Sequence, residues 1–547
     1  SPLHCFYVKE SRIVQKYSAS KLNRSSTLIS LAPLDFWEGM FRVGKAKRIQ
    51  TDMALNWLVR SSQHKGFFSS DLMRGRGGWM DNGRTVFHAG DHLVVNGKRI
   101  ALGELESRYI YEAGPKLGYD MSAPLDTKAA NQLIKLCKLM NWNREINAYL
   151  LAGWCVIAPI CGALRWRSHI WVTGSAGSGK SWTLKEIIRP MLGGTALSVQ
   201  SETTEPGLRQ LIGTDALPIV FDEAEAEDIR QQQSIKKVLG LMRAASADDG
   251  GYLVKGSSSG SEKKYRIRSC FAFASIGITA TQSSDKTRIT LLTLQNLPDS
   301  ETKKKKWEAL QKLHAETITK QYAVNMQART LHLLPIILEN ANTFAKAAAA
   351  LLGKQRIGDQ IGSLLAGAYS LSATTRISYE DAVKWIKDKD WSEEKELDES
   401  RDENRLLAHL LERIVSVETG KGAPVKRTIG ELIGIMLDKV DEPFLTDTSA
   451  ERKLNQLGFK VHEERGEHNF KEDFIAISNT SGHIKRFLFN TPWQYNWAKV
   501  LVRVDGAKAL DSTRFNISTT ARAVGIPVNI IMGESSNTIV PPDELPF

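Results

Sequence analysis

The chain has 547 residues, a mass of 60.9 kDa and a formal net charge of +12, which predicts three to five domains and a charge balance typical of nucleic-acid binding. Its five cysteines are odd in number and include no Cys-x-x-Cys pair, which argues against a disulfide framework or a zinc ribbon and indicates free thiols in a reducing cytosol. The longest apolar stretch, LLAGWCVIAPICGAL at 150–164, is too short and too interrupted by Gly and Pro to cross a membrane and predicts a buried helix.

Residues 1–120 predict an N-terminal α/β domain. MALNWLVRSS has a helical pattern, and 77–100 alternates short β-prone runs with Asn-Gly turns at Asn82-Gly83 and Asn96-Gly97. The chain begins SPLHCFYV, without Met and without the basic-then-apolar pattern of a signal peptide. Such a beginning is typical of a fragment or a processed form, so we expect a further domain upstream. Residues 121–165 predict a helical collar segment.

The strongest motif follows the predicted strand HIWVT and precedes the helical pattern WTLKEIIRPML. It fits the Walker A pattern G-x-x-x-x-G-K-[ST] with Gly174, Ser175, Ala176, Gly177, Ser178, Gly179, Lys180 and Ser181. Glycines let backbone N–H groups point at phosphate oxygens, and the N-terminus of the following helix favours an anion. We therefore predict an ATP site in which Lys180 reaches the β- and γ-phosphates and Ser181 binds Mg²⁺.

The sequence LPIVFDEAEAED predicts a buried strand that ends in two adjacent carboxylates. Asp222 is predicted to bind Mg²⁺ together with Ser181, and Glu223 to orient or activate the attacking water. The acids that follow, Glu225, Glu227 and Asp228, predict the exposed start of a helix.

A third strand is predicted at 269–276, SCFAFASI. In nucleotide-driven motors this strand carries a polar residue that senses the γ-phosphate, and the candidates are Ser275 and Thr279. Arg288 precedes the next apolar strand, where ring-shaped motors place an arginine that acts on the neighbouring subunit's ATP. A surface salt bridge with Asp285 is an equally good interpretation of Arg288.

Between the second and third strands, 250–269 has the pattern of a β-hairpin with a Gly/Ser tip. Its cations suit a phosphate backbone, which needs charge without sequence readout. The predicted DNA-binding residues are Lys255, Lys263, Lys264, Arg266 and Arg268. A solvated surface hairpin is the alternative interpretation.

The order of phosphate loop, Asp-Glu strand, basic hairpin, sensor strand and arginine resembles superfamily 3 helicases of the AAA+ class. It is most similar to the phage and plasmid primase-helicase kind. The phrases RGRGGWMDNGRTVFHAGDHLVVNG, TTEPGLRQLI, LMRAAS and GDQIGSLLAGAYSL carry the same resemblance, which covers about residues 75–375. Two features depart from the family: FAFASIGITATQ lacks the usual Asn, and Arg288 stands alone where relatives have paired arginines.

The resemblance implies a hexameric ring that pulls single-stranded DNA through a central channel, with a hairpin from each subunit gripping the strand. It also implies a primase domain upstream and a role in a mobile element that replicates in the cytoplasm of a bacterial host.

The C-terminal half predicts a helical lid or bundle at 301–416, a linker at 417–428 and a small domain at 429–535. In the small domain, the helical patterns IGELIGIMLD and SAERKLNQLGF precede a predicted β-ribbon, DFIAIS and HIKRFLF around NTSG. This order fits a winged helix, which commonly contacts nucleic acid, and it fits a small protein-interaction domain equally well.

Three further groups have simpler interpretations. HAGDH, from His88 to His92, carries ligand-type residues without a second cluster nearby, so a structural role is favoured over a metal site. The lysine run 303–306 predicts a solvated helix face, with DNA contact as the alternative. The aromatic side chains around the phosphate loop, Trp166, Trp171 and Trp182, predict packing rather than base stacking.

The last residues, 536–547, predict an extended acidic tail. Its end, Asp543, Glu544, Leu545, Pro546 and Phe547, resembles the acidic tip of bacterial single-stranded DNA-binding proteins. Phe547 offers a ring for an apolar pocket, and the acids offer charge for a basic rim. We therefore predict that the tail docks onto a host replication or repair protein.

Taken together, these patterns predict an α/β fold with an AAA+ P-loop core at 166–300, flanked by the N-terminal α/β domain, the helical lid and a winged-helix-like C-terminal domain. The predicted function is an ATP- and Mg²⁺-dependent, ring-forming DNA helicase that acts on single-stranded and forked duplex DNA. The alternative is an AAA+ initiator that remodels an origin without processive unwinding. An intact GKS and DE disfavour a non-enzymatic DNA-binding scaffold.

Overall fold

The computed structural model describes residues 3–532 apart from 23, 44–47, 67, 118–122, 201, 223–228, 248–252, 257–261, 276–284, 286, 297–299, 395–401, 419–422, 438–444, 463–472, 490 and 517–518. The chain divides into two compact units, Ser1–Ser392 and Glu393–Phe547. Within the described ranges, no helix combines the length and the apolar character needed to span a membrane. The five cysteines are free thiols, as predicted.

The first unit begins with two small hairpins and several short helices around a core of their own. The elements are β1 (Leu3–Val8), β2 (Ile13–Ser18), α1 (Ala19–Leu22), α2 (Ser25–Leu31), α3 (Leu34–Met40), β3 (Arg42–Val43), β4 (Arg48–Ile49) and α4 (Thr51–His64). Trp37 lies at the centre, and its indole N–H donates to the carbonyl oxygens of Leu28 at 2.7 Å and Ala32 at 3.0 Å. Helix α4 confirms the helical pattern of MALNWLVRSS.

An antiparallel meander follows. A 3₁₀ turn (Ser70–Leu72) leads to β5 (Met73–Arg74), β6 (Gly77–Asp81), β7 (Arg84–His88), β8 (His92–Val95), β9 (Lys98–Ala101) and β10 (Ile110–Tyr111). Strands β6 to β9 pair in chain order. Both Asn-Gly turns have positive φ at both central residues, with 49° and 78° at Asn82-Gly83 and 46° and 78° at Asn96-Gly97. These are type I′ hairpin turns, and they confirm the prediction.

The meander packs against the rest of the unit through the RGRGGW segment. The Arg76 side chain donates two hydrogen bonds to Oδ2 of Asp215, at 3.0 and 2.6 Å, and its backbone N–H donates to Oδ1 at 2.7 Å. A Cβ on Gly77 would lie 2.2 Å from the carbonyl oxygen of Ala216. Glycine is therefore required for the two backbones to come this close.

The collar segment is helical, as expected. It contains α5 (Thr127–Ala130), α6 (Gln132–Lys138), α7 (Ile146–Ile157) and a 3₁₀ turn (Ala158–Ile160). Helix α7 is buried along almost its whole length, which confirms the buried helix predicted for the apolar stretch.

The centre of the first unit is a parallel sheet flanked by helices. Its elements are β11 (His169–Gly174), α8 (Lys180–Trp182), a π-helical segment (Thr183–Ile188), α9 (Arg189–Leu192), a 3₁₀ turn (Gly193–Thr195), β12 (Leu197–Val199), α10 (Glu205–Ile212), β13 (Ile219–Phe221), α11 (Ile229–Ala245), β14 (Leu253–Gly256), β15 (Glu262–Tyr265), β16 (Phe271–Ala274) and β17 (Ile289–Leu294). The sheet pairs five of the described strands, all parallel, in the order β12-β13-β16-β11-β17. This arrangement confirms the α/β fold class and a P-loop-like core.

The two faces of the sheet are covered differently. The helical stretch from α8 to α9 packs on the face that carries Val172 and Ala274, and α10 and α11 pack on the face that carries Trp171 and Phe273. Strands β14 and β15 form a separate antiparallel hairpin.

The remainder of the first unit is helical, as predicted, with α12 (Ser300–Thr317), α13 (Lys320–Leu352), α14 (Gln355–Ser370) and α15 (Tyr379–Lys387). Helices α7 and α14 meet backbone to backbone. A Cβ on Gly153 would lie 2.0 Å from the carbonyl oxygen of Leu364, and one on Gly367 would lie 2.4 Å from that of Gly153. The glycines of GDQIGSLLAGAYSL thus serve close helix packing.

The second unit contains α16 (Asp402–Leu411), β18 (Ile414–Val417), β19 (Val425–Thr428), α17 (Ile429–Met436), α18 (Asp447–Leu457), β20 (Phe459–His462), β21 (Phe474–Ser478), α19 (Gly482–Phe487), α20 (Trp497–Leu501), β22 (Lys508–Arg514), β23 (Thr520–Pro527) and α21 (Val528–Met532). Strands β20-β21-β23-β22 form an antiparallel sheet. Helices α17 and α18 precede the ribbon β20-β21, and the winged-helix-like and protein-interaction interpretations of this unit both remain predictions.

Two details of the second unit differ from prediction. HIKRFLF is helix α19, not a strand, because Ser481 caps it and its buried residues Ile484 and Leu488 are four apart, on one helix face. The ribbon partner of β21 is instead β20. The predicted linker 417–428 overlaps the paired strands β18 and β19. The chain divides after Ser392 instead, and the other predicted domain limits remain predictions.

Candidate nucleotide-binding site

The phosphate loop turns sharply at the carboxyl end of the central strand β11. Its three glycines all have left-handed backbone angles, with φ of 149° at Gly174, 75° at Gly177 and 101° at Gly179. Side chains with a Cβ rarely adopt such angles, so the glycine spacing of the motif sets the path of the loop. The helical stretch that starts at Lys180 then directs its N-terminus at the concave side of the loop.

The end of the neighbouring strand β17 supports the loop from the side. A Cβ on Gly174 would lie 2.4 Å from the carbonyl oxygen of Leu294. Two residues later, the side-chain amide of Asn296 donates to Oγ of Ser175 at 2.9 Å and to the carbonyl oxygen of Ala176 at 3.2 Å. Asn296 could not be predicted from the sequence, because no motif marks it and only the strand pairing brings it to the loop.

Lys180 lies inside the loop and is largely buried. Its ammonium donates to the carbonyl oxygens of Gly174 at 2.8 Å and Ser175 at 2.9 Å. Ser181 is exposed at the start of the helix. The two residues that follow the last glycine thus place a cation inside the loop and a hydroxyl at its mouth.

The first acid of the predicted pair lies at the same edge of the sheet. Val199, Phe221, Phe273 and Trp171 pair in one line across four strands, so Asp222 follows the line at the carboxyl edge, where the phosphate loop begins. Its Oδ2 accepts a hydrogen bond from Nη2 of Arg189 at 3.1 Å. Glu223 and the acids after it lie outside the described residues.

Ser275 is not directed at the phosphate loop. Its hydroxyl accepts a hydrogen bond from the indole N–H of Trp171 at 2.8 Å, on the sheet face covered by α11. The helix after the phosphate loop covers the opposite face. The predicted sensor role of Ser275 is therefore not supported by its position, because alternate residues of a strand face opposite sides of the sheet. Thr279 lies outside the described residues.

Arg288 lies at the far edge of the sheet. It directly precedes β17, whose six residues pair with β11 from His169–Ile289 to Gly174–Leu294. At ~3.3 Å per residue, Arg288 is about 20 Å from the phosphate loop of its own chain. Burial, together with the cations Arg356 and Arg243, lowers the pKa of Arg288.

Asp285 acts on Arg288 against this shift, because its negative charge raises the pKa of the guanidinium, so the salt-bridge interpretation of Arg288 remains a prediction. Its carboxylate is buried and forms an ion pair with Arg243, with 2.5 Å between Nη1 and Oδ1.

A pocket of about 450 Å³ adjoins the phosphate loop. It is lined by the collar residues between α6 and α7, the phosphate loop with α8, the end of β17, and α12. These residues are Leu139, Met140, Asn141, Gly177, Ser178, Gly179, Trp182, Leu294, Gln295, Asn296, Lys303, Lys304, Lys306, Trp307 and Leu310. The rings of Trp182 and Trp307 are 5.4 Å apart at an angle of 67°. The lysine run predicted as a solvated face therefore borders this pocket.

Helix α12 is attached directly to the helical stretch that follows the loop. A ring nitrogen of His314 hydrogen bonds to the carbonyl oxygen of Glu186 at 2.8 Å, and the imidazole lies 5.3 Å from the Trp182 ring. Nζ of Lys306 donates to Oδ1 of Asn141 at 3.3 Å. Helix α12 thus forms one wall of the pocket.

The predicted hairpin is present, with β14 and β15 paired so that Lys255 lies opposite Lys263, and Lys264 is on the second strand. Arg266 is partly buried just after β15. The prediction was wrong for Arg268, which is 8% exposed and lies over the Trp79 ring at 5.5 Å. Its guanidinium packs inside the unit instead of facing DNA.

HAGDH has the structural role that was favoured for it. Nδ1 of His88 accepts the backbone N–H of Gly90 at 2.9 Å, and Nε2 lies 2.6 Å from the carbonyl oxygen of Glu112. Burial lowers the pKa of His88 to about 4, so the ring is neutral and fully used by the backbone. The predicted tail contacts, from Asp543 to Phe547, lie outside the described residues.

No family model matches the chain, and no curated protein matches it. Among solved structures, the chain is similar to an active helicase, Cch of SCCmec type IV, with 12% identity and a TM-score of 0.48 over 95% of this chain and 90% of that chain. It is also similar to the C-terminal region of NrS-1 in an apo form, with 10% identity and a TM-score of 0.29 over 78% of this chain and 96% of that chain. Likenesses of this size do not assign a family or an activity.

Proposed function

We propose that this chain is an ATP-driven DNA helicase that works as a ring on single-stranded DNA. The observation that carries the proposal is the phosphate loop at the carboxyl edge of the parallel sheet, with Lys180 inside it and Ser181 and Asp222 beside it. The setting, replication of a phage, plasmid or other mobile element in a bacterial cytoplasm, rests on the sequence resemblance alone.

The residues at the loop fit ATP with Mg²⁺. Lys180 would exchange its two carbonyl partners for β- and γ-phosphate oxygens, and the loop N–H groups would receive the same phosphates. The Ser181 hydroxyl and the Asp222 carboxylate are oxygen ligands of the kind Mg²⁺ prefers. Bound Mg²⁺ would supply charge neutralisation. Glu223, the next residue along, is proposed to orient the attacking water.

The pocket beside the loop supports a purine nucleotide. An adenine ring needs an apolar surface, and Trp182 and Trp307 offer two aromatic rings next to the loop glycines. Lys303, Lys304 and Lys306 add positive charge on the same side. We therefore place the adenosine between the phosphate loop and α12.

The position of Arg288 supports a ring. About 20 Å of strand separates it from its own phosphate loop, so it cannot reach its own γ-phosphate. In a ring, the far edge of one subunit faces the nucleotide of the next, and each interface is of the head-to-tail kind. Arg288 is proposed to complete the neighbour's site, and the β14–β15 hairpin with Lys255, Lys263 and Lys264 to contact DNA.

The deciding experiment measures ATP hydrolysis by the full chain with and without single-stranded DNA, and then strand displacement on a forked duplex. We expect DNA to raise the hydrolysis rate and the fork to be unwound. Lys180→Ala should abolish both activities. Lys185→Ala, an exposed lysine on the same helical stretch, is the matched control and should retain both.

Two outcomes would redirect the assignment. A rate of ATP hydrolysis that single-stranded DNA does not change would rule out a helicase. Hydrolysis that DNA stimulates, without any strand displacement on the fork, would favour the origin-remodelling initiator instead.

A further inference from the structure

The second unit exposes two aromatic rings beside three cations. Tyr495 is 88% exposed and Phe489 is 64% exposed. They line a surface pocket of about 650 Å³ together with Lys485, Arg486 and Lys499. We call these five residues the aromatic-basic patch. The other described residues that line the pocket are Asn479, Gln494, Asn496, Trp497 and Ala498, and none of the described lining residues carries a carboxylate.

The exposure of these rings is costly unless something covers them. Full burial of an aromatic ring is favourable, and both rings forgo most of this gain in the free protein. Single exposed apolar residues are ordinary, but two rings and three cations around one pocket are not scattered at random. The combination of ring faces with positive charge is the composition of a single-strand binding surface.

The patch stands on a fixed support. Trp493 and Trp497, on either side of Tyr495, are buried in the core of the unit. The indole N–H of Trp493 donates to Oδ1 of Asp402 at 3.0 Å. These anchors fix the backbone on both sides of Tyr495. The Tyr495 ring stays exposed because Trp493 and Trp497 already fill the core beneath it.

The Phe489 side of the patch is anchored in the same way. Arg413 donates from Nη2 to the carbonyl oxygen of Phe487 at 2.8 Å, and Leu488 is fully buried. Lys485 and Arg486 lie on the short helix α19, whose start is fixed by the Ser481 cap. A surface arranged in advance loses little conformational entropy when a ligand binds.

We propose that the aromatic-basic patch binds single-stranded nucleic acid, with bases stacked on Tyr495 and Phe489 and phosphates paired with Lys485, Arg486 and Lys499. A duplex keeps its base faces covered by neighbouring base pairs, so the exposed rings favour an unpaired strand. The cations favour a polyanion over a neutral or basic protein partner. This site is independent of the nucleotide and lies in a different unit from the phosphate loop.

The first test measures the affinity of the nucleotide-free full chain for a fluorescein-labelled oligo(dT) strand by anisotropy. Tyr495→Ala and Phe489→Ala should each weaken binding by at least about fivefold, the low end of what a stacked base contributes. Tyr379→Ala, which removes an aromatic side chain that is 44% exposed in the first unit, is the matched control and should bind normally. Both patch residues are exposed, so the thermal unfolding of the variants should match that of the unsubstituted chain.

The second test separates charge from stacking. The double variant Lys485→Ala with Arg486→Ala should lower the slope of log Kd against log salt by about 1.4, because each lost phosphate contact on a single strand contributes about 0.7. Lys426→Ala, an exposed lysine of β19, should leave the slope unchanged.

A third test locates the strand directly. Photocrosslinking with 5-iodouracil in the oligonucleotide, followed by mass spectrometry, should yield an adduct on Tyr495 or Phe489. Normal affinity in both aromatic variants, or adducts only elsewhere in the chain, would overturn the proposal. A loss of duplex binding equal to the loss of single-strand binding would overturn the assignment to an unpaired strand. Because no nucleotide is present, a chain that fails to hydrolyse ATP can still pass each of these tests.

Discussion

Trp307 is a residue that no motif marks, yet it borders the candidate nucleotide pocket. It is 41% exposed, and its ring meets that of Trp182 edge-on. An edge-on pair leaves part of each ring face open, and α12 presents Trp307 next to the loop glycines. A purine inserted here would gain stacking and apolar burial together.

We therefore expect Trp307→Ala to raise the KM for ATP about tenfold, since stacking one base on an aromatic side chain contributes about 1–3 kcal/mol. Binding of inorganic triphosphate, which has no base, should not change. Trp307→Phe should recover most of the affinity, and Lys305→Ala, on the same helix and outside the pocket, serves as the control. An equal loss of affinity for ATP and triphosphate would show that Trp307 shapes the phosphate loop and not a base site.

The sequence predicted those site residues whose partners lie in the same short segment of the chain. The phosphate loop is one short segment, so its glycines and Lys180 could be assigned from spacing alone. Arg268 and Ser275 could not, because their roles depend on Trp79 and Trp171, which lie far away in sequence. Asn296 contacts the loop although the sequence did not predict it, because only strand pairing brings it there.

Among the elements, helices α7 and α14 cross with their backbones in close contact at Gly153 and Gly367. Helix α14 also reaches the sheet itself, where the Gln360 side-chain amide donates to the carbonyl oxygen of His169 at 2.9 Å. The helices therefore fix the amino end of β11 while the phosphate loop occupies its carboxyl end. A change at the crossing should disturb the whole unit.

Gly153→Ala should destabilise the first unit by ~3 kcal/mol, because the new Cβ would collide with backbone that cannot move aside. Thermal unfolding followed by circular dichroism measures this loss as a fall in Tm of several degrees. The control is Gly240→Ala in α11, where the nearest atom is the flexible end of Arg243 at 3.5 Å. Alanine favours a helix over glycine, so the control should unfold no earlier than the unsubstituted chain.

If Gly153→Ala unfolds at the same temperature as Gly240→Ala, the close approach of the two helices is not required.

Helices and strands were predicted correctly where the signal lies within the element's own sequence. Asn-Gly turns and apolar strands between helices carry their own signals, so the meander and the parallel sheet were anticipated correctly. HIKRFLF was misassigned because a seven-residue run can satisfy both the strand and the helix period, and only the Ser481 cap decides for the helix. The Gly and Pro content of 417–428 predicted a linker, but Val417 and Val425–Thr428 belong to the paired strands β18 and β19, and only the pairing shows this.

For the whole molecule, the separation of Arg288 from its own phosphate loop implies that one active site needs two chains. The sheet acts as a spacer, with the loop on one edge and the arginine on the other. The partly buried guanidinium of Arg288 lies near Arg243, Arg356 and the carboxylate of Asp285. These three cations and one anion together carry a net positive charge, which suits a phosphate approaching from outside the chain.

Mixing Arg288→Ala chains with Lys180→Ala chains should restore part of the hydrolysis that each variant lacks alone. With equal amounts and random assembly, about one interface in four would combine an intact Lys180 with an intact Arg288 across a head-to-tail contact. Mixing Asp222→Ala with Lys180→Ala is the control, because both changes damage the same side of the interface and no pairing can be intact. Assembled rings that show no recovery at any ratio would exclude action across the interface.

The contact between Arg189 and Asp222 has a consequence for the sequence of events at the site. Nη2 of Arg189 lies 3.1 Å from Oδ2 of Asp222, the carboxylate that is proposed to bind the metal. An internal cation and an incoming one compete for the same anion, so a lone Mg²⁺ must displace Arg189 without help. A metal bound together with a triphosphate would bring negative charge, which would give the guanidinium of Arg189 another anionic partner. Asp222 would then be free to hold the metal, and Arg189 would hold the Asp222 carboxylate whenever the site is without nucleotide, as it does in this structure.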